Sequence, residues 1–288
     1  MATDLDSTIE TSGPGFLGPL TPSILRHYPY KSRDQFLKDF DEEFDREFRS
    51  QTNEYFMVTG VTRQIMSDNF FSNSDKGSPF SSWVSYDAEL ELLLVRTFTG
   101  AAHEMASETF TTCLRDALRV AGMTSLAIHP SGRMEFHALV GDKRSNQSWE
   151  PVDPPWGRLF WPSAALQVVF STARAKLHSD IHFWQRASQG EVKVILTLEI
   201  STDEPKIVIE NWETEDDGLS HLKQRVTVSR DENGDTVVDE APLKIRFEKM
   251  LLRPARWGEW DIEVGEKQLR LLAMRVWDTQ SVQSEAFQ

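Results

Sequence analysis

Ala164-Ala165-Leu166-Gln167-Val168-Val169-Phe170 is an apolar run of strand length with one amide at its centre. It predicts a buried strand, because a run this short with β-branched and aromatic residues in its second half is better placed in a sheet than in a helix. Residues 173–186 follow with Leu177, Ile181 and Trp184 on one helical face, and residues 192–200 and 206–212 return to strand patterning. Strand, helix and strand in succession predict a mixed α/β fold.

Working towards the N-terminus, the pattern gives a hairpin of residues 125–128 and 133–140 turned by His129-Pro130-Ser131-Gly132, a helix over 101–120 and a strand over 89–96. Residues 72–82, rich in Asn, Ser and Gly with Pro79, read as a loop. Ser32 and Gln35 form a capping-box signature, and Phe36, Phe40, Phe44 and Phe48 recur every fourth residue behind it, which predicts a helix with a phenylalanine stripe. Asp39, Asp41, Glu42, Glu43, Asp45 and Glu47 are assigned to its solvated face. Residues 1–30 are rich in Ser, Thr, Gly and Pro without apolar period, and read as a flexible arm. Within it Gly13-Pro14-Gly15-Phe16-Leu17-Gly18 fits the dinucleotide pattern GxGxxG, yet no strand precedes it and Pro19 follows, so it reads as a turn. Towards the C-terminus, Glu232-Asn233-Gly234-Asp235 predicts a hairpin with a type I′ turn, and residues 266–277 a final amphipathic helix. No internal repeat is present.

The composition bounds the function. The chain has 288 residues, 39% of them hydrophobic, with 17 Phe and 9 Trp, enough for a buried core in one or two domains. Its 45 acidic against 31 basic residues give a net charge of −14, which disfavours binding nucleic acid over a broad face and leaves room only for a small basic pocket. Cys113 is the single cysteine, so no internal disulfide forms. The first ten residues carry Asp4, Asp6 and Glu10 and lack a secretory signal pattern, and no apolar run approaches the roughly 20 residues of a membrane helix. The expectation is an intracellular protein, cytoplasmic or nuclear, with no membrane partner.

Familiar catalytic motifs fail. His103-Glu104 is followed by Ser107 where a zinc protease needs a second histidine, and no GxxxxGK[ST] loop exists. His178 and His182 have helical i, i+4 spacing for zinc but lack a third ligand. Asn146-Gln147-Ser148 fits a glycosylation sequon without a secretory signal.

Five pieces in order carry a family resemblance: Tyr86-Asp87-Ala88-Glu89-Leu90-Glu91-Leu92-Leu93-Leu94-Val95; His103-Glu104; Gly141-Asp142-Lys143-Arg144-Ser145-Asn146-Gln147-Ser148-Trp149-Glu150-Pro151; Trp161-Pro162 through Trp184; and Gly190-Glu191-Val192-Lys193-Val194-Ile195-Leu196 with Ile209-Glu210-Asn211-Trp212-Glu213. They resemble a large group of uncharacterised fungal proteins, itself similar to the PD-(D/E)XK restriction-endonuclease-like superfamily. The resemblance covers about residues 84–213. It implies a mixed central sheet flanked by helices. On that division, 1–30 is an arm, 31–82 a helical extension, 83–215 the nuclease-like core, and 216–288 a hairpin and helix packed on the core.

In that group the first motif reads K-E-P-D-S-S-F-x-P, the strand P-T-L-V-x-E-V-G-x-S-E-S, and the next helix D-A-x-W-W. Laid on this chain, the metal-binding Asp falls on Asn146, the Glu on Gln167 and the Pro on Ser145, while Asp180, Phe183 and Trp184 keep much of the helix pattern. The basic residue expected two positions after the second acid is Val169; Lys176, or less well Arg174, is the substitute. Glu104 is a lone acid on the preceding helix. No Asp or Glu lies between Leu159 and Arg174, and near the first motif only Asp142, Glu150 and Asp153 are available.

Such a nuclease holds a hard divalent cation on two carboxylates to polarise phosphate and acidify water. An amide keeps the shape and loses the charge. The resemblance therefore implies a catalytically inactive pseudonuclease that acts by binding or regulation on an unknown macromolecular partner, with no cofactor and the site-equivalent positions Asn146, Gln167, Lys176 and Glu104. The alternative is a metal-dependent nuclease using Mg or Mn, or a small-molecule enzyme, with a site relocated to His103, Glu104, Asp142, Glu150, Lys176 or His178. A third is an interaction module built on the acidic helix of residues 32–50. Trp149, Trp156, Trp161 and Trp184 suit base stacking, but core packing is their commoner role.

Overall fold

The computed structural model describes residues 15–50, 55–71, 77–124, 126–158 and 160–286. Its first part holds β1 (His27–Pro29), α1 (Arg33–Ser50), β2 (Tyr55–Thr59), the single turn α2 (Arg63–Ile65) continued as a π-helical turn over Met66–Phe71, β3 (Trp83–Asp87), β4 (Leu92–Arg96) and α3 (Ala101–Val120). The short strands β5 (Ile128–Pro130), β6 (Glu135–Ala138), β7 (Gly141–Arg144) and β8 (Gln147–Pro151) lead to β9 (Ala164–Phe170), α4 (Arg174–Ala187) and β10 (Val194–Ile200). The chain continues through β11 (Lys206–Thr214), β12 (Ser220–Arg230), β13 (Thr236–Asp239), β14 (Leu243–Ile245), α5 (Phe247–Leu251), β15 (Ile262–Val264) and α6 (Glu266–Ala286).

The fold is mixed α/β. One sheet runs β13-β12-β11-β10-β9-β8-β5, with β9 parallel to β10 across the α4 connection and antiparallel neighbours elsewhere. A second runs β1-β2-β4-β3-β7-β6, antiparallel except for β1 on β2. Successive strand residues face opposite ways, and β9 uses both faces. Ala164, Leu166 and Val168 pack with α3 and α6, whereas Ala165 and Val169 pack with Leu177, Ile181 and Trp184 of α4 and with Met57 and Leu94 from the second sheet. Gln167 takes the second face by the same alternation. Phe56, Val58, Leu93 and Val95, on the far side of the second sheet, meet Phe36 and Phe40 of α1. No helix among the described residues is long and apolar enough to cross a membrane.

Several expectations are corrected. The arm is built in from Gly15 onward: Phe16, Leu17, Leu20 and Leu25 are buried, Phe16 stands edge-on to Phe183 at 4.9 Å, and Leu17 N donates to Asp87 Oδ2 at 2.9 Å. These apolar residues pack as irregular coil, so periodicity does not reveal them. Gly15 has φ +68 and sits where a Cβ would strike Asp87 and Leu90, a packing reason for a glycine in a pattern that suggested a turn. Gly13 and Pro14 lie outside the described residues. On α1 the Ser32 cap forms, with Gln35 N donating to Ser32 Oγ at 3.2 Å. Its acidic face is only partly solvated, however. Asp39, Glu43 and Glu47 are buried, and Glu43 accepts from Tyr28 and Arg46. Phe44 is exposed, and the Phe48 side chain lies outside those described.

The strand placed at 89–96 begins only at Leu92, because 88–91 is the turn of the β3–β4 hairpin, with Glu91 at φ +53. The two arms of the hairpin expected at 125–140 part company: β5 pairs with β8 in one sheet and β6 with β7 in the other. Ser125, and residues 72–76 of the expected loop, lie outside the described residues. The connection between β12 and β13 is not a type I′ turn, which needs two positive φ values; Gly234 has one, and Asn233 does not. Instead Asp231 Oδ1 accepts from Asn233 N and Asp235 N, both at 2.9 Å. Hydrogen bonding also crosses the expected divisions at 82 and 215, since β2 pairs with β4 and β11 with β12.

The buried N-terminal segment sets a prediction. Leu17→Ala removes fully buried methyl groups and lowers the unfolding free energy by about 2–5 kcal/mol in denaturant titration, whereas Ile24→Ala, at a residue 39% exposed, changes it by about 0.5 or less.

Candidate functional site

The polar centre lies where α4 meets the two sheets. Lys143 on β7 stands directly opposite Ser85 on β3, and its ammonium donates to Ser85 Oγ at 2.9 Å and to Asp180 Oδ1. Lys176, one helical turn before Asp180 on α4, donates to Asp180 Oδ2 at 2.5 Å. The three residues are 0%, 4% and 0% exposed in the order Lys143, Lys176 and Asp180. Charges removed from water need partners, and here two ammonium groups share one carboxylate. Burial pushes the Lys143 ammonium down to about 8, against the opposing pull of Asp180.

Gln167 closes the network from β9. With its nitrogen toward α4, Nε2 donates to Asp180 Oδ2 at 3.2 Å and to Asn146 Oδ1 at 3.3 Å, and Oε1 accepts from Trp184 Nε1 at 3.1 Å. The reverse orientation sets oxygen against acceptors and nitrogen against a donor, so the surroundings choose this one. Asn146 precedes β8 and grips β9 on both sides of Gln167: its backbone N donates to Leu166 O at 3.3 Å, and its Oδ1 accepts from Val168 N at 2.8 Å. Asn146 Nδ2 lies 3.2 Å from His103 Nε2, which is itself 3.0 Å from Val168 O. In the Nε2–H tautomer the imidazole donates to that carbonyl. Burial, reinforced by the Arg96 charge, holds His103 well below the usual histidine range, so the ring is neutral at pH 7.

Asn146, Gln167 and Lys176 thus share one hydrogen-bonded network through Asp180. Glu104 reaches it indirectly, because its carboxylate pairs with Arg133 and its Oε1 stands 3.7 Å from His103 Nδ1. Arg174 points elsewhere and pairs with Glu199 at 3.4 Å. Val169 is buried in the apolar core, and Ser145 Oγ donates to Gly132 O at 3.1 Å. Among the other acids, Asp142 is buried and hydrogen-bonded to His137 Nδ1 at 2.9 Å, its carboxyl raised by burial; Glu150 lies opposite His129 on β5; Asp153 is exposed. His182 is buried and lowered by burial. No group of three His, Cys, Asp or Glu among the described residues is arranged to hold a metal ion. Trp149, Trp161 and Trp184 are buried in the core, whereas Trp156 is fully exposed.

Sequence reasoning did not single out Lys143, Ser85 or Arg96. A visible signal existed for one link only: Lys176 and Asp180 have the i, i+4 spacing of a helical ion pair, on the side of α4 that carries Leu177, Ile181 and Trp184.

No family model matches the chain, and no curated protein does. Among solved structures, one described as a candidate nuclease of the DUF820 group from Anabaena variabilis is similar, with a TM-score of 0.34 and 9% sequence identity over 62% of this chain and 87% of that one. A likeness of that size carries no inference about what this chain does.

The shared carboxylate gives two testable consequences. Asp180→Asn leaves two buried ammonium groups facing an amide and lowers the unfolding free energy by about 3–5 kcal/mol. Lys143 has a lowered folded value, so between about 8 and its ordinary 10.5 the unfolded chain holds a proton that the folded chain has released. Its contribution therefore makes the fold more stable as pH rises through that window. Subtracting the pH–stability profile of Lys143→Met from that of the wild type, by denaturant unfolding at each pH, exposes this rise; a flat difference contradicts it.

Proposed function

We propose that the chain is a catalytically silent protein of the restriction-endonuclease-like kind, acting by binding to a macromolecular partner. The sequence resemblance supplies the fold family, and the bonding at the two amides supports the silence. Both positions expected to carry metal carboxylates are neutral, and their oxygens are turned inward: Gln167 Oε1 to Trp184, and Asn146 Oδ1 to Val168 N and Gln167. The nearest carboxylate, Asp180, is neutralised by two lysines. A hard divalent cation seeks several anionic oxygens and gives up its water reluctantly. This donor set does not fit one.

A relocated active site draws no support from the bonding. Glu104 is held by Arg133, and Asp142 by His137 and Arg63. Loss of catalysis leaves the polar centre free to serve fold and recognition.

Calorimetric titration tests the reading. The wild type is expected to show no saturable Mn²⁺ binding, whereas Asn146→Asp combined with Gln167→Glu places two new carboxylates beside Asp180 and creates it. Without metal the double variant melts lower through like-charge repulsion, and Mn²⁺ restores part of the loss. Tight Mn²⁺ binding by the wild type, together with metal-dependent cleavage of DNA or RNA that Glu104→Ala abolishes, overturns the proposal.

A further inference from the structure

The polar centre carries more positive charge than it neutralises. Arg133 and Glu104 cancel; Lys143 and Lys176 share the single carboxylate of Asp180, and with Arg96 beside His103 the centre has an excess of two. Arg96 is half-buried at the end of β4, with its NH1 3.5 Å from His103 Nε2, and no carboxylate lies within ion-pair distance among the described residues. Tyr55, its cross-strand neighbour on β2, has Lys176 Nζ 5.3 Å from its ring centroid, which brings α4 to the same region. Asn146 adds an amide donor beside the same imidazole. The chain as a whole carries −14, so surplus cations gathered around a buried, neutral histidine oppose the general balance. Groups withdrawn from water this far ordinarily have counter-ions.

We propose that Arg96, Lys176 and Asn146 form a binding site for a terminal phosphoryl dianion, a phosphate monoester, taken without a metal. The proposal rests on the preceding reading in one respect, that amides and not carboxylates line the centre. A guanidinium and an ammonium suit a tetrahedral oxyanion, the first as a planar fork and the second as a point charge. An excess of two matches a monoester, whereas an internal phosphodiester brings one charge and a long polyanion that the acidic surface repels. A neutral His103 leaves that balance intact at pH 7. The monoester has two sources, a free nucleotide or the phosphorylated end of a strand.

The test is calorimetric titration of the full chain in EDTA with three probes: a nucleoside 5′-monophosphate, a short single strand carrying a 5′-phosphate, and the same strand without it. The phosphorylated probes are expected to bind and the unphosphorylated strand not to. Equal affinities for the first two identify the phosphate alone as the ligand, and tighter binding of the strand identifies an end. Arg96→Gln, at a half-buried position, weakens binding about tenfold or more, as does Lys176→Met where its thermal melt shows a folded protein. Arg119→Gln, an exposed residue paired with Asp116 near the other end of α3, leaves it unchanged. Unaltered binding by Arg96→Gln, or equal binding of the unphosphorylated strand, overturns the inference. Binding only when Mn²⁺ is added overturns it together with the silent-nuclease reading. No binding with or without metal, while the Asn146→Asp and Gln167→Glu pair acquires Mn²⁺, overturns this inference alone.

Discussion

The centre of the molecule depends on one carboxylate held between two ammonium groups. Asp180 ties α4 to the second sheet through Lys143 and, through Gln167, to β9 of the first. An isolated buried charge is among the most expensive features a fold can carry, and a satisfied one specifies geometry because each member fixes the others. Trp184 and Asn146 complete the circle, so the side chain at 167 has one amide orientation and β9 is held on either side of it. The apolar clusters on both faces of β9 supply burial; the polar circle sets the register in which they meet.

That circle is closed at 146 and 167 by neutral amides. Amides have nearly the outline of carboxylates but add donors; the donor at Gln167 meets acceptors on Asp180 and Asn146, while Asn146 Nδ2 lies beside the His103 imidazole. Acids at the same places need external cations to relieve repulsion. The amides leave Asp180 as the anion of the circle, paired with Lys143 and Lys176.

Much of the framework was legible in the sequence for physical reasons. The limits of β9 and α3 follow from a bounded apolar run and from helical periodicity, both local signals, and the mixed α/β class follows from their succession. Pairing was less legible. The residues after α3 alternate as strands do, but which strand each meets depends on contacts distant in the chain, and β5 and β6 go to different sheets. The segment from Gly15 escaped notice because coil residues bury side chains without a period. At the polar centre, Gln167 is pointed to by the family resemblance, while Lys143 is not, because a lysine on a short strand reads as surface until its partner on α4 is known.

The buried N-terminal segment also constrains how the chain acquires its shape. Residues 16 and 17 are synthesised well before their neighbours Asp87 and Phe183. Closing such long loops is slow, and leucines and phenylalanines wait exposed in the interval. This segment then stays unpacked until residue 183 has been made, and its apolar side chains are open to wrong associations until that point.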